Sequence, residues 1–151
     1  MHLALWLFLA AAAPVPRFED YPAIEQLDGS PVPPFLTLPV HRRYQTRILS
    51  GATGRPNFAG AFYAVVWGCG SGCAALAVVD GRTGVIYGPP GTRDALIATS
   101  STENCPGVGV RPNSPLIFID HSVMTTGVCR RSFYEWRDLR YRFIRTVEVK
   151  P

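Results

Sequence analysis

Apolar residues fill the stretch Phe58–Trp67 with almost no polar interruption. An apolar run of this length, without alternation, predicts a strand that is covered on both faces. Two further apolar runs, Ala74–Val79 and Val85–Tyr87, flank the turn sequence Asp80–Gly84, whose glycines tolerate positive φ. The pattern therefore predicts that these two runs form a β-hairpin.

Shorter apolar segments continue to the C-terminus. They predict a weak strand at Leu96–Thr99, a short buried strand at Leu116–Asp120, and a hairpin that joins Ser132–Trp136 to Tyr141–Val149 around Arg137–Arg140. Between them, the polar segment Ser100–Pro115 is punctuated by Gly and Pro and is predicted to be a loop.

One helix is predicted before the first strand, over Val40–Ala52. Val40, Tyr44 and Ile48 recur at helical spacing and form one apolar stripe. Pro56 forbids continuation of the helix. His41, near the start of this helix, is expected to be exposed.

The segment Pro14–Pro39 contains seven prolines, so it cannot sustain a helix or a central strand. It is predicted to be an extended, partly mobile lead-in. Four apolar side chains along the segment are expected to dock on the body: Phe18, Tyr21, Phe35 and Leu36.

The sum of these elements is a mainly β fold with a minor helical part. Many short strands at close spacing predict an antiparallel sheet that is curled, or folded into a sandwich or small barrel, with one N-terminal helix beside it. The chain has 151 residues, of which 47% are hydrophobic and 17% charged, as expected of one globular domain. We expect this single domain to span residues 40–151.

Met1–Ala13 is predicted to be a secretory signal peptide. Leu3–Ala10 forms the apolar core, and four alanines at positions 10–13 supply small residues for cleavage after Ala12 or Ala13. The apolar stretch is too short to span a membrane. We therefore expect a periplasmic or secreted protein without a transmembrane segment in its mature chain.

The four cysteines are Cys69, Cys73, Cys105 and Cys129. An even number in an exported domain favours disulfides, and four cysteines allow three connectivities. We favour Cys69–Cys73 with Cys105–Cys129, worth about 2 and about 3.5 kcal/mol respectively in the chain-entropy description.

Cys69 and Cys73 also permit a second hypothesis. They lie in Trp67-Gly68-Cys69-Gly70-Ser71-Gly72-Cys73, where glycine-rich backbone could hold an anion beside a reactive thiol. The CxxxC spacing differs from the CxxC of thioredoxin-like proteins, and no helix follows to lower a thiol pKa. The disulfide is therefore the favoured interpretation.

The formal net charge is +4, and six arginines lie between positions 130 and 145. A basic face can attract nucleic acid, anionic lipid or an acidic glycan. No nucleic-acid motif accompanies the arginines, so we expect no nucleic-acid partner. An envelope protein or an anionic glycan remains open, with Arg130, Arg131, Arg140 and Arg142 as the candidate contacts.

Other candidate chemistry is sparse. Asp120, His121 and Ser122 are adjacent, but neighbours on a strand point to opposite faces and do not form a catalytic triad. Gly88–Thr92 lacks the Lys-Ser/Thr of a phosphate-binding loop and is predicted to be a turn. We expect no catalytic residue, metal or cofactor, and the candidate binding residues besides the arginines are Trp67, Ser71, His121 and Tyr134.

The final hairpin alternates aromatic residues with arginines. This pattern could form a stacking platform for a sugar or for single-stranded nucleic acid, and cross-strand aromatic packing is the simpler interpretation. The aromatic residues concerned are Phe133, Tyr134, Trp136, Tyr141 and Phe143.

Three blocks resemble an uncharacterised group of small exported bacterial proteins with the signature PNFAGxY…WGCGxxC…D…TGxVY. Here the blocks are Pro56–Phe62, Trp67–Cys73 and Asp80–Tyr87. The resemblance covers about residues 41 to 145 and implies export without implying an activity. The group commonly has histidine after NFAG, where Ala61 stands here, and glycine in the last turn, where Asp138-Leu139 predicts an unusual or longer turn.

The function that these patterns favour is an exported, non-enzymatic binding or inhibitor-like module that acts through exposed loops on a rigid sheet. Two alternatives remain open. One is a thiol-dependent redox protein or hydrolase that uses Cys69 or Cys73, and the other is an envelope protein that binds an anionic polymer through the C-terminal arginines.

Overall fold

A computed structural model describes residues 12–92, 94–100, 104–123 and 125–150. The predicted signal segment therefore lies outside the described residues except for Ala12 and Ala13. The elements are a turn of 3-10 helix (Phe18–Asp20), helices α1 (Pro39–Arg43) and α2 (Gln45–Gly51), and strands β1 (Phe62–Gly68), β2 (Ala74–Asp80), β3 (Ile86–Tyr87), β4 (Ile97–Thr99), β5 (Val108–Arg111), β6 (Ser114–Val123), β7 (Val128–Arg137) and β8 (Arg140–Val149).

The strands form two antiparallel sheets. In the first sheet, β1 pairs with one edge of β2, while β3 and β4 pair with different parts of β2. The second sheet is a meander in the order β5-β6-β7-β8. The prediction of a mainly β fold with a minor helical part is confirmed, and within the described residues the sheets do not close into a barrel.

The core between the sheets explains how they stack. Phe62 and Leu76 of the first sheet share one hydrophobic cluster with Ile117, Ile119 and Trp136 of the second. Because successive strand residues point to opposite faces, these residues define the inner face of the second sheet, and their sequence neighbours define its outer face. The predicted apolar run of β1 is buried on both faces as far as Val65, since its alternate residues Tyr63 and Val65 join a different cluster, whereas Val66 is 42% exposed.

The helices cover the other face of the first sheet, where Ile48 packs with Val65 and Trp67. The prediction of one helix is wrong in one respect, because the chain leaves helical geometry at Tyr44, which separates α1 from α2. The ring of Tyr44 packs on Trp67, with centroids 5.3 Å apart.

The expectation that His41 is exposed is wrong. The residue is 3% exposed, and its Nδ1 accepts a hydrogen bond from the backbone N–H of Leu38 at 3.3 Å. Burial, with a smaller contribution from Arg42, lowers the pKa of His41 below its usual value. The side chain therefore closes the start of α1 as a neutral imidazole.

The Pro56–Phe62 block is a structural corner. The side-chain amide of Asn57 donates to the carbonyl of Ala64 at 3.0 Å and its oxygen accepts from the same residue's N–H at 2.7 Å, so Asn57 occupies the edge of β1. Ala59 and Gly60 have positive φ, and their backbone N–H groups donate to the carbonyls of Ser114, the first residue of β6, and Pro112, in the turn before it. The block thus joins the two sheets.

The lead-in is extended along the body of the protein. Backbone N–H groups of Ala23, Leu27, Val32 and Phe35 donate to carbonyls of the body at 2.7–3.0 Å. Phe18 packs on Phe118, and Leu36 joins the helix-side cluster, as predicted. The side chain of Phe35 is exposed instead of docked.

Two further details, strand β5 and the last hairpin turn, bear on the sequence-based expectations. Strand β5 lies inside the segment that was predicted to be a loop, and it pairs with β6. The last hairpin turn is unusual, as predicted, but it is not longer, because Arg137 pairs directly with Arg140. Asp138 and Leu139 both have positive φ, at 53° and 58°.

Candidate functional site

The Trp67–Cys73 block closes the hairpin between β1 and β2. Cys69 and Cys73 are bonded, with Cα atoms 5.1 Å apart, and positive φ at Gly70 and Gly72 lets the chain turn within this short loop. The backbone N–H of Cys69 donates to the carbonyl of Cys73 at 3.3 Å. This block is therefore a disulfide-closed loop, here called the Trp67–Cys73 clasp, that fixes the end of the first sheet.

The second disulfide joins Cys105 to Cys129, with Cα atoms 5.9 Å apart. Cys129 lies on the outer face of β7, opposite Ser122, and is almost fully buried. The bond attaches the segment before β5 to this face. All four cysteines are bonded in the pairing that the sequence favoured, so the structure offers no thiolate for nucleophilic attack.

Trp67 and Ser71 are not part of a common site with the other candidate residues. Trp67 is buried among the helix-side residues. Ser71 is exposed in the loop between Cys69 and Cys73.

The four candidate arginines do not form one basic face. Arg130 is on the inner face of β7, directly opposite His121. Arg131 and Arg142 belong to the outer face, since they pair across the sheet with Asp120 and Glu135. Arg140 pairs with Arg137 at the end of the hairpin, so its register gives it the outer side, but at this end of the sheet it also lines a cavity on the inner side.

Arg131 is held by a buried ion pair. Its Nε and Nη2 donate to the two carboxylate oxygens of Asp120 at 2.8 and 3.0 Å, and Asp120 is fully buried. The guanidinium carbon also lies 3.7 Å from the centre of the Phe118 ring. The bidentate pair fixes the direction of the guanidinium and leaves only 19% of the side chain exposed, so Arg131 is a structural residue.

Arg142 is also engaged, because its Nη2 donates to Asp138 at 2.9 Å across the turn. Arg130 is in a different situation. Its nearest acid is Glu148, at 4.0 Å, and both side chains are more than half exposed. Exposed pairs of this length contribute little to stability, so Arg130 remains available to another anion.

His121 and Tyr134 lie in the wall of the same cavity, which has a volume of about 390 Å³ and opens where β4 faces the second sheet. The lining combines apolar and hydrogen-bonding groups, from Pro90, Ile97, Ala98, Thr99, Ser100, Ile119, His121, Ser132 and Tyr134. An apolar lining with a few polar groups is typical of a ligand site.

A second cavity of about 440 Å³ shares Pro90 and Tyr134 with the first, so the two adjoin; together they are the cleft. Aromatic residues form much of its wall, from Tyr87, Tyr134, Trp136, Tyr141 and Phe143. Tyr134 meets Phe143 edge to face, with centroids 5.6 Å apart. Phe143 is 62% exposed, so part of its ring is open to a ligand.

Hydrogen bonds fix the walls of the second cavity. The hydroxyl of Tyr141 donates to the carbonyl of Gly88 at 2.9 Å, which attaches the Gly88–Thr92 loop to β8. Burial raises the pKa of Tyr141 well above its usual range, so the hydroxyl stays protonated as a donor. Thr92 Oγ1 lies 3.0 Å from the carbonyls of Pro89 and Ala95 and holds the base of the same loop.

Strand length explains why the cleft exists. β6, β7 and β8 each have ten residues, whereas β3 and β4 have two and three. The short strands leave part of the inner face of the second sheet uncovered. Alternate residues of β7 therefore line the cleft in order, first Ser132, then Tyr134, then Trp136.

The sequence singled out His121 and Tyr134 but missed Pro90, Thr99 and Ser132. These three residues come from a loop, an edge strand and a central strand, and none belongs to a motif. The one sequence signal for Ser132 is its spacing of two residues from Tyr134. On a strand, this spacing places both side chains on the same face.

Three neighbouring residues of β6 with reactive side chains are divided between the two faces of the second sheet. Asp120 and Ser122 are on the outer face and His121 is on the inner face, so these three adjacent residues do not converge. Within the described ranges, no group of three or more His, Cys, Asp or Glu side chains could hold a metal ion. No helix in the described part of the chain is long and apolar enough to cross a membrane.

Comparison of the chain with protein-family models, with curated proteins and with solved structures gives no match.

Proposed function

We propose that this protein is an exported, non-enzymatic module that binds a glycan in the cleft on the inner face of the second sheet. The observation that supports this proposal most strongly is the pair of rings of Tyr134 and Phe143, which presents aromatic surface beside two adjoining cavities. The predicted signal peptide and the two disulfides support a periplasmic or secreted location.

A sugar ring suits this lining for a physical reason. Its C–H groups form an apolar face that packs on the negative face of an aromatic ring, while its hydroxyls need hydrogen-bond partners. His121 places such a partner next to Tyr134 in the first cavity, and the hydroxyl of Ser132, which lies 2.8 Å from Thr146 Oγ1, keeps further hydrogen-bonding capacity. The alternation of aromatic and hydrogen-bonding groups therefore favours a carbohydrate over a purely apolar ligand.

The composition of the cleft favours binding over cleavage. Glycoside hydrolysis generally takes two carboxylates that flank the bond. The described residues that line the two cavities include one histidine and no aspartate or glutamate. The thiol alternative is less well supported, because both cysteines of the Trp67–Cys73 block are bonded.

The test is binding to an array of immobilised bacterial envelope glycans. The mature protein is expected to bind at least one glycan, and Phe143→Ala is expected to weaken that binding about tenfold through the loss of ring contact. Phe35→Ala is the matched control, since Phe35 is 68% exposed and does not line the cleft.

A blank array, or equal losses in Phe143→Ala and Phe35→Ala, would contradict the proposal. Circular dichroism of both variants checks that each retains the wild-type fold.

A further inference from the structure

An arginine lies at each end of the cleft. At one end Arg130 and His121 are directly opposite each other on neighbouring strands of the inner face. At the other end Arg140 lines the second cavity. Between them the lining is aromatic, apolar or hydroxyl-bearing.

The arginines at the two ends differ from the rest of the C-terminal set. Arg131 is held by Asp120, Arg142 by Asp138 and Arg145 by backbone carbonyls of the lead-in. Arg140 forms no ion pair within the described residues. Arg130 has only the long contact with Glu148, whose side chain is 70% exposed.

Resting on the proposed function, we infer that the cleft selects acidic glycans whose sugars carry carboxylates, that is, uronic-acid oligosaccharides. One carboxylate contacts Arg130 and His121, and another contacts Arg140, while a ring between them packs on Tyr134 and Phe143. Arginine binds carboxylates through paired hydrogen bonds, and imidazole donates in either neutral tautomer.

The spacing suits a chain of several sugars. Arg130 and Arg137, the register partner of Arg140, are separated by seven residues along β7, or roughly 24 Å at about 3.4 Å per residue. A monosaccharide cannot reach both ends, so an oligosaccharide should bind more tightly than its single unit.

A substitution at Glu148 tests the same inference through an expected gain in affinity for an acidic glycan. It is the acid that faces Arg130 on this surface, and it competes with a ligand carboxylate for the same guanidinium. Removal of its charge should therefore strengthen the binding of an acidic glycan.

The experiment compares pentagalacturonate with its fully methyl-esterified form by isothermal titration calorimetry. The two probes share the same sugar backbone and differ in charge. The acid is expected to bind at least tenfold more tightly, and its affinity should fall with added salt. Arg130→Gln and Arg140→Gln should each lose about tenfold for the acid and little for the ester.

Arg142→Gln is the matched control, because Arg142 is exposed on the same strand as Arg140 but lines neither cavity and is paired with Asp138. Glu148→Gln should gain about threefold for the acid. Equal affinity for acid and ester would overturn the acid selectivity and leave glycan binding standing. If neither probe binds, uronic acids are wrong as the ligand class, and the glycan array then decides separately whether the proposed function also fails.

Discussion

Arg130 and Arg131 are neighbours in the sequence but lie on opposite faces of the second sheet. Arg131 is locked to the buried carboxylate of Asp120 and stacked on Phe118, whereas Arg130 is 59% exposed and has only a loose acid partner. The comparison shows that a basic cluster in a strand is divided by the pleat into two sets. Only the set on the uncovered face is available to a ligand.

The two faces differ in more than their arginines. The outer face carries a disulfide at Cys129 and an aromatic contact between Phe118 and Phe133. The inner face is covered by the first sheet over one part and left open over the other. The outer face therefore stabilises the sheet, and the open part of the inner face can bind.

The largest expected effect is at the buried ion pair. Asp120→Ala leaves the guanidinium of Arg131 buried without its partner, which should lower the free energy of unfolding by about 4 kcal/mol. Arg130→Gln, the neighbouring change on the other face, should alter it by no more than about 0.5 kcal/mol. Urea unfolding followed by tryptophan fluorescence measures both, and similar losses would erase the proposed difference between the faces.

A smaller loss in the free energy of unfolding is expected when the outer-face disulfide between Cys105 and Cys129 is removed. Replacement of Cys105 and Cys129 by serine should cost about 3.5 kcal/mol, because the bond closes a loop of 25 residues in the unfolded chain. The same change at Cys69 and Cys73 should cost about 2 kcal/mol, since that loop has five residues. Thermal unfolding of the two double variants gives the order, and the reverse order would show that the Trp67–Cys73 clasp matters more than its length indicates.

The smallest effect is a gain, at the turn beside the cleft. Leu139 has a φ of 58°, a conformation that glycine adopts without strain. Leu139→Gly should therefore raise the free energy of unfolding by about 1 kcal/mol. Asp138→Gly should gain less, because aspartate tolerates positive φ better than leucine. Calorimetric melting of both variants makes the comparison, and a loss in Leu139→Gly would mean that its side-chain packing outweighs the strain.

Much of the fold could be predicted because local signals agreed with the tertiary structure. The apolar run of β1, the turn Asp80–Gly84 and the final hairpin each combine a clear pattern with a turn sequence. β5 could not be predicted, since Val108–Arg111 contains glycine and becomes a strand only because β6 pairs with it. His41 was placed wrongly because its burial depends on packing that helical periodicity does not encode.

The cleft was less accessible to prediction than the fold. Tyr134 and His121 were identified as candidates, but the sequence did not show that β3 and β4 would be too short to cover them. Trp67 and Ser71 are predicted as candidates because they lie in a distinctive motif. In the structure, that motif closes a hairpin and is not part of the cleft. Here the distinctive sequence marks a structural feature, and ordinary residues form the candidate site.

The most direct test of the division between the faces is aromatic side-chain NMR during titration with pentagalacturonate. Phe133 and Tyr134 are adjacent residues whose rings lie on the outer and inner faces, and Phe118 and Phe143 extend the same comparison. We predict saturable shifts of the Tyr134 and Phe143 ring signals, with those of Phe118 and Phe133 unchanged. Saturable shifts confined to Phe118 and Phe133 would contradict the assignment of ligand binding to the inner face, whereas no saturable shift at any of the four rings would rule out uronic acids as the ligand class.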